Sequence, residues 1–154
     1  MGGLHGIGHR LAPVGVGHGQ TSCVLLPSVL KFNLKHGDNG IKGRQRKLLD
    51  VLWGKRAIAD LLHKNGYDKV TELGDVIGAI VQRLDLPRTL KDVGIGKDKF
   101  ENFANNSLKD PWLSTNVVPL TKSEQVLEIL EMLNKTWSIE DRSSFITQMC
   151  LFFR

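Results

Sequence analysis

Residues 2–22 read GGLHGIGHRLAPVGVGHGQTS and hold three of the chain's five histidines, His5, His9 and His18. A helix over residues 3–11 places His5 and His9 at i and i+4, one turn apart on one face, so both imidazoles address the same small volume. Pro13 ends that helix, and Gly15, Gly17 and Gly19 let the chain turn back and bring His18 within reach of the pair. Neutral imidazole is a borderline-soft nitrogen donor near neutral pH, so two or three such rings read as a site for Zn, Fe, Co or Ni. The alternative at this stage is a flexible glycine-rich terminus in which an i, i+4 histidine pair arises by chance. The zinc-protease pattern H-E-x-x-H is excluded, because Gly6 stands where the general-base glutamate is required.

Beyond this stretch, hydrophobic spacing of three and four residues recurs along the chain. A buried helix is expected over residues 20–35, with Thr21 and Ser22 as candidate N-caps and Val24, Leu25, Leu26, Val29 and Leu30 giving it apolar surface on most sides. Pro27 kinks that helix unless it falls in the first turn. Residues 37–40, GDNG, read as a turn. An amphipathic helix follows over 41–53, with Leu48, Leu49 and Leu52 opposite its basic residues, then a second over 55–64 that stops at Asn65 and Gly66. His63 reads as an exposed helix-end residue. Val70, Leu73, Ile77, Ile80, Val81 and Leu84 give the clearest helical period, ended by Pro87. Phe100, Phe103, Ala104 and Leu108 mark another helix, closed by Asp110 and Pro111. Thr121 and Glu124 form a T-x-x-E capping box before Val126, Leu127, Leu130 and Leu133. A last helix is expected over 138–152. No segment alternates with period two, so the fold expected is an all-α helical bundle, with residues 1–135 as the helical metal-binding domain and 136–154 as a helical tail.

The chain has 154 residues, 41% hydrophobic and 24% charged, enough for one sizeable core. Its formal charge of +5 is spread along the sequence rather than gathered in one arm. The densest cluster, Lys42, Arg44, Arg46 and Lys47, reads as a solvated helix face without the aromatic row or motif of a nucleic-acid binder. Cys23 and Cys150 are too far apart for a metal or redox motif and read as small buried apolar residues. The longest apolar run, CVLLPSVL, is interrupted by Pro27 and Ser28 and is too short to span a bilayer; a cytoplasmic chain with no membrane and no nucleic-acid partner is the expectation. Gly6-x-Gly8 lacks a third glycine, and neither it nor Gly15-x-Gly17 follows a strand, so no complete dinucleotide fingerprint is present.

The run HGIGHRLAPVGVGHGQTSCVLLPSVLKFN (residues 5–33) resembles the metal-binding signature of the iron-containing (group III) alcohol dehydrogenases, particularly their maleylacetate reductase-like fungal branch. LPRTLKDVGI, SLKDPW and PLTKSEQVLEIL resemble further segments of that family's C-terminal helical domain, in the same order. The resemblance implies that His5 and His18 are metal ligands for Fe²⁺ or Zn²⁺. It implies that His9 is the catalytic, cofactor-facing histidine beside the nicotinamide of NAD(P). The implied chemistry is hydride transfer to or from a small carbonyl or alcohol, with the ion acting as Lewis acid and His9 moving the proton. The family's remaining metal ligands and pyrophosphate loop have no counterpart in this sequence. A truncated chain with little turnover alone is therefore expected, one that self-associates or joins a full-length relative. Asn116-Val117-Val118-Pro119 departs from the usual N-P-x-P, and the tail from Trp137 onward has no counterpart. A non-catalytic helical interaction module is the alternative.

Overall fold

The computed structural model describes residues 2–133; the helix expected over 138–152, the 136–154 tail and Cys150 lie outside them. Seven helices follow in chain order: α1 (Gly3–Leu11), α2 (His18–His36), α3 (Asn39–Trp53), α4 (Arg56–Lys64), α5 (Leu73–Arg83), α6 (Phe100–Ser107) and α7 (Ser123–Met132). Among the described residues there is no strand, so the all-α expectation holds. No helix among them is long and apolar enough to cross a membrane.

The centre of the fold is α2, and two apolar clusters meet along it. Val24, Leu25, Val29 and Phe32 of α2 pack with Ile7 and Leu11 of α1, Phe100, Phe103 and Ala104 of α6, and Val126, Ile129 and Leu130 of α7. On its other flank, Leu30 packs against a smaller cluster of Leu49, Leu62, Leu73, Val76 and Ala79 from α3, α4 and α5. Where α5 crosses α2, only a residue without a side chain fits. A Cβ at Gly74 would stand 2.5 Å from the Pro27 carbonyl oxygen, and the Lys31–Asp75 ion pair closes the crossing beside it at 2.5 Å.

Several helix boundaries differ from the sequence expectation, each for a local reason. The N-terminus of α2 lies at His18, two residues earlier than expected; Gln20 Oε1 accepts the Gly17 N–H at 3.2 Å. Thr21 is buried within the helix instead of capping it. Pro27 lies in the helix interior, not in its first turn. Its missing N–H leaves the Cys23 carbonyl without the usual i−4 bond, and packing on both flanks holds the helix together. The expected turn at 37–40 is the cap of α3: Asp38 Oδ1 accepts from Ile41 N–H at 2.8 Å. Val70 stands 83% exposed before α5, in a turn where Asp68 accepts its N–H. The Thr121–Glu124 capping box does not form, because α7 begins at Ser123; Gln125 Oε1 instead accepts the N–H groups of Thr121 and Lys122, at 2.8 and 3.0 Å. Cys23 is half-buried rather than buried. The four basic residues of α3 are exposed, as expected of a solvated face, and so is His63, whose ring lies edge-on to Trp53.

Candidate functional site

The glycine-rich beginning is a packed helix whose backbone is pressed into the fold. Gly3, Gly6 and Gly8 are buried. Gly6 faces Leu113 so closely that a Cβ there would overlap the leucine side chain, and a Cβ at Gly8 would come within 2.7 Å of Thr21 Cγ2. Ile7 and Leu11 fill the core below, while His5 and His9 occupy the outer side of the same helix. After α1 the chain passes through a 3₁₀ turn, Ala12–Val14, and reverses at Gly15, whose φ of 90° is the left-handed conformation that glycine adopts without strain. The Gly15 N–H bonds to the Ala12 carbonyl and the Val16 N–H to the Leu11 carbonyl, the paired bonds of a Schellman ending. This reversal delivers His18 at the start of α2.

The three histidines do gather. The His5 and His9 ring centres lie 4.3 Å apart and the His5 and His18 centres 5.8 Å apart, both edge to face. Trp112 joins them from the turn after α6, its ring 5.8 Å from that of His5. Two imidazoles sharing one ion, with metal–nitrogen bonds of about 2.1 Å, put their ring centres roughly 5 Å apart. The two separations, 4.3 Å for His5–His9 and 5.8 Å for His5–His18, lie on either side of that value, so ring spacing is compatible with shared coordination without singling out one pair. Among the described residues, no group of three or more His, Cys, Asp and Glu side chains is placed to hold a metal.

His9 is engaged differently. Its Nδ1 lies 2.7 Å from Oδ2 of Asp110, which also receives Arg10 at 3.4 Å. The other carboxylate oxygen of Asp110 accepts the Trp112 N–H at 3.0 Å, and its backbone N–H donates to the Ser107 carbonyl at 2.8 Å. Burial raises the carboxyl pKa of Asp110, and the bonds from His9, the Trp112 N–H and Arg10 outweigh it, leaving the group below its ordinary 3.8. Sequence reading took Asp110 only as a helix terminator, although SLKDPW was one of the resembling segments. Its partners lie about a hundred residues back in the chain, where no local pattern reveals them.

Two other carboxylates are held down as well. Asp92 is lowered chiefly by the Arg88 N–H, aided by that of Thr89. In Glu128, the bonds from Lys35 and His36 overcome the opposing effect of burial. Groups with depressed folded pKa values stabilise the fold above their unfolded values, and that stability disappears as pH falls through the folded ones. Urea unfolding should therefore show a steady loss of stability from about pH 5 to pH 3. The stability gap between wild type and Asp110→Asn should narrow over the same range, and a gap that widens contradicts the ionised Asp110.

The Fe-containing alcohol dehydrogenase C-terminal family model matches residues 1–134. The dehydrogenase ALT3 of Alternaria alternata is 44% identical over 131 residues, 84% of this chain and 34% of that protein. The dehydrogenase FUM7 of Gibberella moniliformis is 42% identical over 133 residues, 86% of this chain and 31% of that protein. The chain thus spans about a third of the length of these relatives. No solved structure matches it. Its helical fold, its histidine-bearing first helix and the extent of the match place the chain in the Fe-containing alcohol dehydrogenase family, as a C-terminal domain.

Proposed function

We propose that this chain carries the metal-binding and proton-transferring elements of an NAD(P)-linked alcohol dehydrogenase or carbonyl reductase acting on a small molecule. The observation that carries this reading is the convergence of His5, His9 and His18 from α1 and the start of α2, with His9 alone tied to a buried carboxylate. His5 and His18 would hold a divalent ion, Fe²⁺ or Zn²⁺, as two nitrogen donors, with the remaining ligands coming from outside the described residues. When bound, the ion supplies Lewis acidity toward a carbonyl oxygen. His9 would give a proton from Nε2 to that oxygen in the reducing direction and take it back in the oxidative one, and a nicotinamide cofactor, when bound, would supply the hydride. Trp112 stands edge-on beside His5. No complete dinucleotide fingerprint is present in this sequence, and His9 is the one residue proposed to face the nicotinamide.

The reading is tested by titrating the full chain with Zn²⁺ and with Co²⁺ and following heat and the cobalt absorption spectrum. Wild type should bind one ion, and His5→Ala or His18→Ala should each weaken binding by at least roughly 10- to 100-fold, the scale set even by outer-sphere losses. Equal binding by wild type and both variants rejects the assignment. Adding NAD(P)H with an aldehyde or oxo-acid then asks whether turnover accompanies the metal.

A second reading, a helical module that packs on a full-length relative, is favoured by exposed apolar side chains in the turn after α1 and in the segment between α6 and α7. Val14 is 48%, Trp112 38% and Val117 55% exposed. Co-purification with such a relative supports it; metal-dependent turnover without any association eliminates it.

A further inference from the structure

We propose that Asp110 is the positioning residue of the site, fixing His9 as the Nδ1–H tautomer and keeping Nε2 for proton transfer. The inference rests on the reading of His9 given above and extends it to a residue about a hundred positions away in the chain.

The carboxylate is built for this. Asp110 is 6% exposed, and its carboxylate is met by two fixed donors, the Trp112 N–H and the Arg10 guanidinium, besides the His9 ring. Oδ1 takes the Trp112 N–H, and Oδ2 faces His9 Nδ1 and Arg10. An ionised carboxylate only accepts, so Nδ1 of His9 must carry the hydrogen. The ring's lone pair is then at Nε2 when the imidazole is neutral, and the transferable proton is at Nε2 when it is charged. Nε2 lies across the ring from Asp110. In the reducing direction the Nε2–H bond breaks, the substrate oxygen gains the proton, and the Nδ1–H bond to Asp110 stays intact throughout.

The same carboxylate sets a second ring. Its Oδ1 fixes the backbone of Trp112, whose indole stands edge-on to His5. One buried group thus holds the proposed proton donor directly and, through the backbone, the turn that carries the indole beside His5.

Asparagine at position 110 tests this without altering shape. With Oδ1 kept on the Trp112 N–H, the amide NH₂ faces His9 Nδ1, which must then accept, and the hydrogen moves to Nε2. The measurement is the ¹⁵N imidazole spectrum of the metal-free full chain at a pH where His9 is neutral, assigned with His9→Gln. Wild type should show Nδ1 as the protonated nitrogen, and Asp110→Asn should show the reverse. Wild type with its proton on Nε2 overturns the proposal by itself, whether or not the variant folds. A folded Asp110→Asn that keeps the Nδ1–H form overturns it too. Zn²⁺ titration of the same samples separates the two readings. A wild type with the Nδ1–H tautomer but no metal binding keeps Asp110 and rejects the metal site. Metal binding with the opposite tautomer rejects Asp110 alone.

Discussion

Replacing Asn116 by leucine is expected to lower the melting temperature by roughly 10 °C, because two buried polar groups and one part-buried one lose their partner at once. Asn116 is 8% exposed and stands where the first helix, the central helix and the loop before α7 meet. Its Oδ1 accepts the Gly3 N–H at 3.1 Å, one of the donors that α1 cannot satisfy within itself. Its amide donates to Asn33 Oδ1 at 2.7 Å and to the Val118 carbonyl at 2.8 Å. Leucine has nearly the same volume and none of these functions. Each stranded buried group costs about 1–3 kcal/mol, with some relief at the wetter Val118 carbonyl, so a total of about 3–5 kcal/mol is expected. For a chain of this size that corresponds to about 2–4 °C per kcal/mol. Asn116→Asp keeps the acceptor for Gly3 and can receive a reversed Asn33 amide, so it should melt closer to wild type. Scanning calorimetry decides; a leucine variant melting within about 2 °C of wild type means that water replaces the amide at little cost.

The Asn116 junction also shows where the sequence stopped being legible. Its departure from N-P-x-P was visible, but its partners Gly3 and Asn33 are 113 and 83 positions away. What could be read was what repeats locally. The three- and four-residue spacing located α5 and placed Leu73 in the core, yet it also enrolled Val70 and Leu84, which are 83% and 62% exposed. Val76, fully buried, went unnamed. Period shows that a face exists, while the depth of each position depends on what packs against it. Helix ends were misread for a related reason: the caps of α2 and α7 come from Gln20 and Gln125, long side chains reaching back to the preceding backbone, rather than from the short hydroxyl residues that N-caps favour. The histidine cluster was legible because i, i+4 spacing and a glycine-proline reversal are local geometry. Asp110 was not, since its charge is spent on residues from the opposite end of the fold.

Gly6→Val is expected to be the most disruptive small change to the site, lowering the melting temperature by roughly 10 °C and separating His5 from its neighbours. Gly6 is the residue between His5 and Ile7, and its missing side chain lets α1 lie against the Pro111–Leu113 turn. A Cβ there overlaps the Leu113 side chain and comes within 3.3 Å of the Leu113 backbone nitrogen. The tip of a leucine can rotate, so alanine should cost only about 1–2 kcal/mol; valine adds two methyl groups directed at a backbone that cannot move alone. The turn that must give way begins at Asp110 and includes Trp112, so the strain reaches the His9 hydrogen bond and the ring beside His5 together. Stability and site geometry should therefore fail in step. Thermal melts report the first, and the ¹⁵N shifts of the His5 and His9 rings report the second. A Gly6→Val chain that melts near wild type with unchanged ring shifts would mean that α1 tilts freely off the turn. In that case the cluster owes its order to the Gly15 reversal and α2, not to the contact of α1 with residues 111–113.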